Sequence, residues 1–237
     1  MSKRAVILAG GKGTRLRPYT VVLPKPLMPI GEFPILEVIV RQLVSFGFDH
    51  ITMAVNHQAE IIKAFFQDGQ RWGIRIDYSL EDGPLGTMGP LKLIGDLPEN
   101  FLVMNGDILT DLDFAEFHDR HAASRNTFTI SSMRREHRID YGVLDVDDSG
   151  TLTGFREKPE VRYEVGMGVY MVNARVLNFI PDGQPFGFDN LMLKLLELGR
   201  PISVRPFEGY WLDIGRPDDY ARAIDEFESL RTKFLNE

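Results

Sequence analysis

The sequence contains no cysteine. That removes disulfides, thiolate nucleophiles and cysteine-ligated zinc together. Histidine is scarce, with five residues in 237. Two of them, His118 and His121, fall three apart on an expected helix, but no third ligand lies near, and the pair reads as a solvated face. No apolar run approaches the ~18 residues that a membrane-crossing helix needs. The apolar stretch Ala5–Ala9 is too short for a secretion signal and runs straight into Gly10 and Gly11. Positive charge is not in excess either, since 27 basic residues face 34 acidic ones for a net charge of −7. Such a protein suits nucleic acid poorly, because that binding depends on neutralising phosphates. Internal repeats, low-complexity tracts and linkers are also missing. These absences point to a cytoplasmic enzyme with small-molecule partners, and away from nucleic acid and membranes.

What is present is ordinary globular composition, 43% apolar and 26% charged. The length suffices for one large domain with a substantial core, and 1–237 is read as that single domain. In the first half, strand-like and helix-like segments alternate. Ala5–Ala9, Ile51–Val55, Ile74–Ser79 and Phe101–Met104 read as strands. Ile35–Phe46, Ala59–Phe66, Thr87–Ile94 and Phe114–Ala123 read as helices. That order implies a parallel sheet with helices on both faces. After Thr127 the pattern becomes β-rich, with segments at 127–133, 142–146, 151–156 and 165–172. Helical spacing returns at 188–198 and in a closing amphipathic helix through Tyr220, Phe227 and Phe234. The expected fold is α/β with a β-rich insertion, divided at about residue 125.

Directly after the first strand comes Leu8-Ala9-Gly10-Gly11-Lys12-Gly13-Thr14-Arg15-Leu16. In an open parallel sheet, ligands sit beyond the carboxyl ends of the strands. Glycines there let backbone N–H groups approach a phosphate. Lys12, Arg15, Arg17 and Lys25 add four cations close together. A dinucleotide-binding fingerprint would need glycine where Leu16 stands, and a Walker A loop would need Ser or Thr where Gly13 stands. Two carboxylates stand out elsewhere. Asp107 ends Asn105-Gly106-Asp107 after an apolar strand, where it can meet a metal held by phosphates. Asp213 sits between apolar neighbours just before a helix. Arg134, Arg135 and Arg138 form a small basic cluster that reads as a solvated loop.

The glycine-rich segment, continued through Arg17-Pro18, Thr20 and Pro24-Lys25-Pro26, resembles the signature of sugar-1-phosphate nucleotidylyltransferases. The resemblance extends over nearly the whole chain and is closest in look to the catalytic domains of mannose-1-phosphate guanylyltransferases. It implies a Rossmann-like, mixed but mainly parallel sheet whose β-rich insertion binds the sugar. Residues 1–125 would form the nucleotide half and 126–237 the sugar-phosphate half, without the C-terminal β-helix of many guanylyltransferases. The implied reaction joins a nucleoside triphosphate to a sugar 1-phosphate, giving a nucleotide sugar and pyrophosphate.

By that resemblance, Leu8, Ala9, Gly10, Gly11, Gly13, Thr14 and Arg15 hold the nucleotide, and Lys25 contacts phosphate near the reacting phosphorus. Asp107 and Asp213 bind Mg²⁺, so that Arg15, Lys25, Asp107 and Asp213 form the catalytic set. Glu81-Asp82-Gly83-Pro84-Leu85-Gly86-Thr87-Met88-Gly89-Pro90-Leu91 resembles the base-recognition segment, with Glu81, Gly86 and Thr87 as contacts. A carboxylate at 81 suits guanine N1–H and its 2-amino group, so GTP is the expected nucleotide, ahead of UTP, dTTP or CTP. Glu157 and Lys158, in an E-K-P motif, would hold sugar hydroxyl and phosphate, with Gly142 and Gly168 beside them. The family usually has N-A-G where this chain has Gly166-Met167-Gly168. The resemblance implies a mannose- or heptose-type sugar, and this departure points away from plain mannose or glucose and toward a heptose or modified hexose. A homodimer is compatible with this reading. The competing classes are a non-catalytic nucleotide-sugar-binding regulator and a dinucleotide-dependent oxidoreductase.

Overall fold

A computed structural model describes residues 2–56 and 58–235. The strands in chain order are β1 (Lys3–Leu8), β2 (Pro29–Ile30), β3 (Phe33–Pro34), β4 (Phe48–Val55), β5 (Arg75–Leu80), β6 (Asn100–Asn105), β7 (Ile108–Thr110), β8 (Phe128–Arg138), β9 (Val143–Val146), β10 (Leu152–Arg156), β11 (Glu160–Asn173), β12 (Ile202–Phe207) and β13 (Trp211–Asp213). The α-helices are α1 (Ile35–Ser45), α2 (Ala59–Phe66), α3 (Phe114–Ala123), α4 (Phe188–Glu197) and α5 (Pro217–Leu235). A seven-stranded sheet has the order β12-β8-β11-β6-β1-β4-β5. Strands β5, β4, β1 and β6 are parallel. β11 is antiparallel to both β6 and β8, and β12 is parallel to β8, so β11 alone is reversed among the described strands of this sheet.

The strand alternation builds two cores. Ala5 and Ile7 of β1, Leu102 and Met104 of β6, and Val169 and Met171 of β11 enter one core. Val6, Phe101, Val103, Tyr170 and Val172, on the opposite faces of those strands, enter the other. α1, α2, α3 and α5 cover the first face, while α4 and short 3₁₀ turns cover the second. Helices on both faces of a mixed, mainly parallel sheet therefore match the expectation. α1 follows from its spacing: Ile35, Leu36, Ile39, Val40 and Leu43 are all buried. It stops at Phe46, after which Gly47 takes the left-handed conformation with φ 80°. No helix among the described residues is long and apolar enough to cross a membrane.

Three local expectations are corrected. Thr87–Ile94 is not an α-helix but a 3₁₀ turn over Gly89–Leu93. Pro90 lacks an N–H, and the Met88 and Gly89 N–H groups both donate to the Phe186 carbonyl at 3.0 Å, outside the segment. The arginine cluster is not a loop: Arg134, Arg135 and Arg138 lie in β8, which pairs with β11 from Arg138↔Glu160 to Phe128↔Val172. Lastly, His121 is not solvated. It is 2% exposed, and its Nδ1 lies 2.7 Å from Thr129 Oγ1.

Burial, with a smaller push from His118, drives the His121 pKa down to about 4. In the unfolded chain the same group titrates near ~6.5. The folded state therefore refuses a proton that the unfolded state accepts, and stability is full above about pH 6.5 and lost progressively toward pH 4. The expected loss across that window is on the order of 3 kcal/mol. Urea unfolding of His121→Leu at several pH values should show a correspondingly flatter acid limb than the parent protein.

Candidate active site

Two acids far apart in sequence meet through the small β7–β13 sheet. Its register places Asp213 opposite Ile108, and the Ile214 N–H donates to the Asp107 carbonyl at 3.1 Å. Ile108, Leu109, Leu212 and Ile214 are buried, which anchors the pairing in the core. The Asp213 pKa is raised, first by burial and then by the Asp107 charge, against the pull of Lys25 and Arg15. Lys25 forms an ion pair with Asp107 Oδ2. The four groups expected to form the catalytic set thus share one electrostatic neighbourhood.

Lys25 is held by its surroundings. It opens a 3₁₀ turn at Lys25–Leu27 and is itself buried. Gly13, at φ 59°, packs behind it: a Cβ there would stand 2.9 Å from Thr20 Cγ2 and 3.2 Å from Lys25 Cβ. The Thr20 hydroxyl donates to the Gly13 carbonyl at 2.7 Å. The Gly106 N–H donates to the Leu8 carbonyl at 2.9 Å, joining the ends of β1 and β6.

A cavity of about 510 Å³ opens at the carboxyl ends of β1, β4 and β6. Leu8, Ala9, Gly10, Gly11, Lys25, Glu81, Gly86, Thr87 and Asp107, all among the expected site residues, line it. Gly13, Thr14 and Arg15 do not line it. Gly13 acts from behind, and the Arg15 guanidinium packs 3.5 Å from where a Cβ on Gly215 would lie, on the Asp213 side. Sequence reading missed Asn56 and Asn105, which line the cavity just past β4 and at the end of β6. The available signal was an amide side chain at the carboxyl end of an apolar strand.

Glu81 faces the glycine-rich loop, since its Oε1 would lie 3.3 Å from a Cβ on Gly10. Its other oxygen accepts from the Leu85 N–H at 3.0 Å, and burial raises its pKa. The segment after it docks on the start of α4. The Thr87 hydroxyl accepts from the Phe188 N–H at 2.8 Å, and Gly86 adopts φ 75° where a Cβ would meet the Phe186 carbonyl oxygen at 2.8 Å.

The expected sugar-side residues lie outside this cavity. Gly142 and Glu157 are neighbours, with Glu157 Oε2 3.3 Å from a Cβ placed on Gly142. Lys158 is exposed, in a left-handed conformation at φ 44°. Gly168 sits in the irregular stretch of β11, where a Cβ would stand 2.7 Å from Asn105 Nδ2. It therefore connects the β-rich half to the cavity wall.

The donor set fits Mg²⁺. Asp107 Oδ1 is buried and accepts no hydrogen bond, an orphaned oxygen beside a second carboxylate. Hard divalent cations favour such oxygens and take their remaining ligands from phosphate and water. Among the described residues no group of three or more His, Cys, Asp or Glu could hold a metal alone. Asp107 and Asp213 would thus hold an ion shared with a phosphorylated ligand.

Residues 4–229 match the family described as nucleotidyl transferase, and the chain belongs to that family. Among curated relatives, a UTP–glucose-1-phosphate uridylyltransferase of Synechocystis is 38% identical over 93% of this chain, and a mannose-1-phosphate guanyltransferase of Yarrowia lipolytica is 35% identical over 92%. The chain spans 62% of the length of each. Among solved structures, HddC from Yersinia pseudotuberculosis superposes with a TM-score of 0.74 at 27% identity, covering 95% of this chain and 99% of that one. HddC has also been solved complexed with GMP-PN.

Gly86→Ala should strain the cavity wall. Forcing a side chain into the left-handed region costs about 1–2 kcal/mol, and the Phe186 carbonyl blocks relaxation. The expected result is a urea-measured stability loss of that size, together with weakened nucleotide binding by titration calorimetry.

Proposed function

We propose that the chain is a sugar-1-phosphate nucleotidylyltransferase. The observation that carries this reading is the convergence of Asp107, Asp213, Lys25 and Arg15 beside a cavity walled by Gly10 and Gly11. In the reaction a phosphate oxygen of the sugar 1-phosphate attacks the α-phosphorus of the triphosphate. The bond from that phosphorus to the bridging oxygen breaks, and pyrophosphate leaves with the electron pair. The second ionisation of the attacking phosphate lies near pH ~6, so the nucleophile is already an anion. No general base is needed, in keeping with a site that has neither Cys nor His among its described lining residues. The obstacle is repulsion between anions, and electrostatic stabilisation and positioning supply the catalysis. Lys25 and Arg15 neutralise phosphate charge, while Gly10 and Gly11 let the backbone approach it. Bound Mg²⁺ on Asp107 and Asp213 would add further neutralisation of charge.

The nucleotide is GTP in this reading, because the Glu81 carboxylate can accept from both guanine N1–H and its 2-amino group. A relative named for guanyl transfer and the HddC complex with GMP-PN support it. UTP is the second reading, favoured by the 38% identity to a protein named for uridylyl transfer. The sugar is of mannose or heptose type by likeness to a relative named for mannose-1-phosphate, and Gly166-Met167-Gly168, which replaces the side chain usual at that place, favours a heptose or modified hexose over plain mannose. A regulator without activity has no use for the full set of paired acids and cations. The division into a nucleotide half and a sugar-phosphate half follows the placement of the cavity in the first half and of Gly142 and Glu157 in the second.

A matrix of GTP, UTP, dTTP, CTP and ATP against several sugar 1-phosphates, followed by pyrophosphate release, tests the reading. Asp107→Ala should lower turnover by a factor on the order of 10²–10⁴ with the fold intact by circular dichroism. Normal Mg²⁺-dependent turnover in that variant would remove Asp107 from the chemistry. Glu81→Gln should lower kcat/KM for GTP roughly 10-fold or more, the scale of a lost charged hydrogen bond. Should UTP be preferred and Glu81→Gln be silent, the uridylyl reading replaces it.

A further inference from the structure

We infer that Arg135 is a specificity-determining contact for the phosphate of the sugar 1-phosphate; the inference rests on the nucleotidylyl transfer proposed above. β8 runs in the same direction as β1, β4 and β6, because β11 is antiparallel to both β6 and β8. β11 pairs with β6 only over Val169–Asn173. Its earlier part, 160–166, stays paired with 132–138 of β8. This two-stranded arm therefore extends past the carboxyl ends of the parallel strands, the side on which the cavity opens. Gly168 against Asn105 marks where the arm leaves the cavity wall.

The arm carries four arginines, and three have carboxylates beside them. Arg134 faces Glu164, Arg138 faces Asp140, and Arg162 faces Glu136 and Glu160, all within 4.0 Å. Arg135 has no such partner among the described residues. Its guanidinium lies instead over the Trp211 ring, 4.9 Å from the centroid. Trp211 is itself fixed, its Nε1 donating to the Met167 carbonyl at 2.9 Å. Along β13, Trp211 and Asp213 are two apart and project from the same face. Arg135 is thus held on the face that carries one of the two site acids.

Stacking uses the face of the guanidinium and leaves its N–H edge for a bidentate contact, the geometry that suits phosphate. The nucleotide phosphates have their own cations, Lys12 and Lys25, which line the cavity, whereas Arg135 is not among its lining residues. Arg135 comes from the other half of the chain, on the strand that leads to Gly142 and, across the β9–β10 hairpin, to Glu157 and Lys158. That places it with the second substrate.

The test is steady-state pyrophosphate release by the full chain, Arg135→Met and Arg135→Lys, with GTP or UTP against mannose 1-phosphate and glucose 1-phosphate. Arg135→Met should raise KM for the sugar 1-phosphate by roughly 10–100-fold, the effect of one lost charged contact. KM for the nucleotide should stay within about 2-fold, and Arg135→Lys should recover part of the loss. An unchanged sugar-phosphate KM overturns the inference. So does an equal rise in both KM values, which would mean nucleotide contact or general disturbance of β13. If the parent protein releases no pyrophosphate with any of these pairs, nor across the wider matrix of nucleotides and sugar 1-phosphates above, it is the transferase reading that fails. Calorimetric titration of parent and Arg135→Met with mannose 1-phosphate then still decides, and equal affinities would sink the contact.

Discussion

The pairing of β7 with β13 is the constraint on which the site depends. Two carboxylates placed side by side repel, and the raised pKa of Asp213 records first its desolvation and then that repulsion. Nothing in the acids themselves favours the arrangement. It is held by burial of Ile108, Leu109, Leu212 and Ile214 and by the backbone bond from Ile214 to Asp107. Burying each such side chain contributes roughly 1.5–3 kcal/mol, enough to hold two partly screened like charges together. Lys25 on Asp107 and Arg15 near Asp213 offset part of the rest.

The glycines divide between contact and support. Gly10 and Gly11 line the cavity, Gly13 and Gly168 allow close approaches beside or behind it, and Gly86 does both. At Gly13, Gly86 and Gly168, positive φ coincides with a neighbour too close for a Cβ. The signature glycine at 13 is therefore explained by packing against Thr20 and Lys25. Lysine and loop are positioned by the same contact, and the cation cannot move far without disturbing the turn that precedes it.

Much of the framework was legible because its residues repeat at a clear period. α2 and α3 fall within the limits that their apolar spacing sets, and β1, β4 and β6 follow from short buried runs. The β7–β13 pairing was hidden, since three-residue strands carry no period and their partnership joins distant segments. β8 was shortened because its outer half, Arg134–Arg138, alternates charge with charge across to β11 and lacks the apolar face that marks a strand. His121 was misplaced for the opposite reason: one polar residue on an amphipathic helix says nothing about whether Thr129 waits opposite it. In the site, residues on strand ends were legible through the glycine-rich and Asn-Gly-Asp motifs. Asn56 carried no motif and went unseen.

Net charge and local charge lead in different directions here. The chain is acidic overall, at −7, yet its proposed substrates are polyanions. Lys12, Arg15 and Arg17 have no carboxylate within ion-pair distance among the described residues, whereas most other cations of the surface are matched to acids. Screening confines each exposed charge to about 8 Å at physiological ionic strength. An incoming phosphate therefore responds to the unmatched cations around the cavity, and the acidic remainder of the surface lies beyond its reach. On the proposed function, phosphate selectivity would arise from leaving a few basic side chains without partners near the carboxyl edge of one sheet, a device that needs no basic protein.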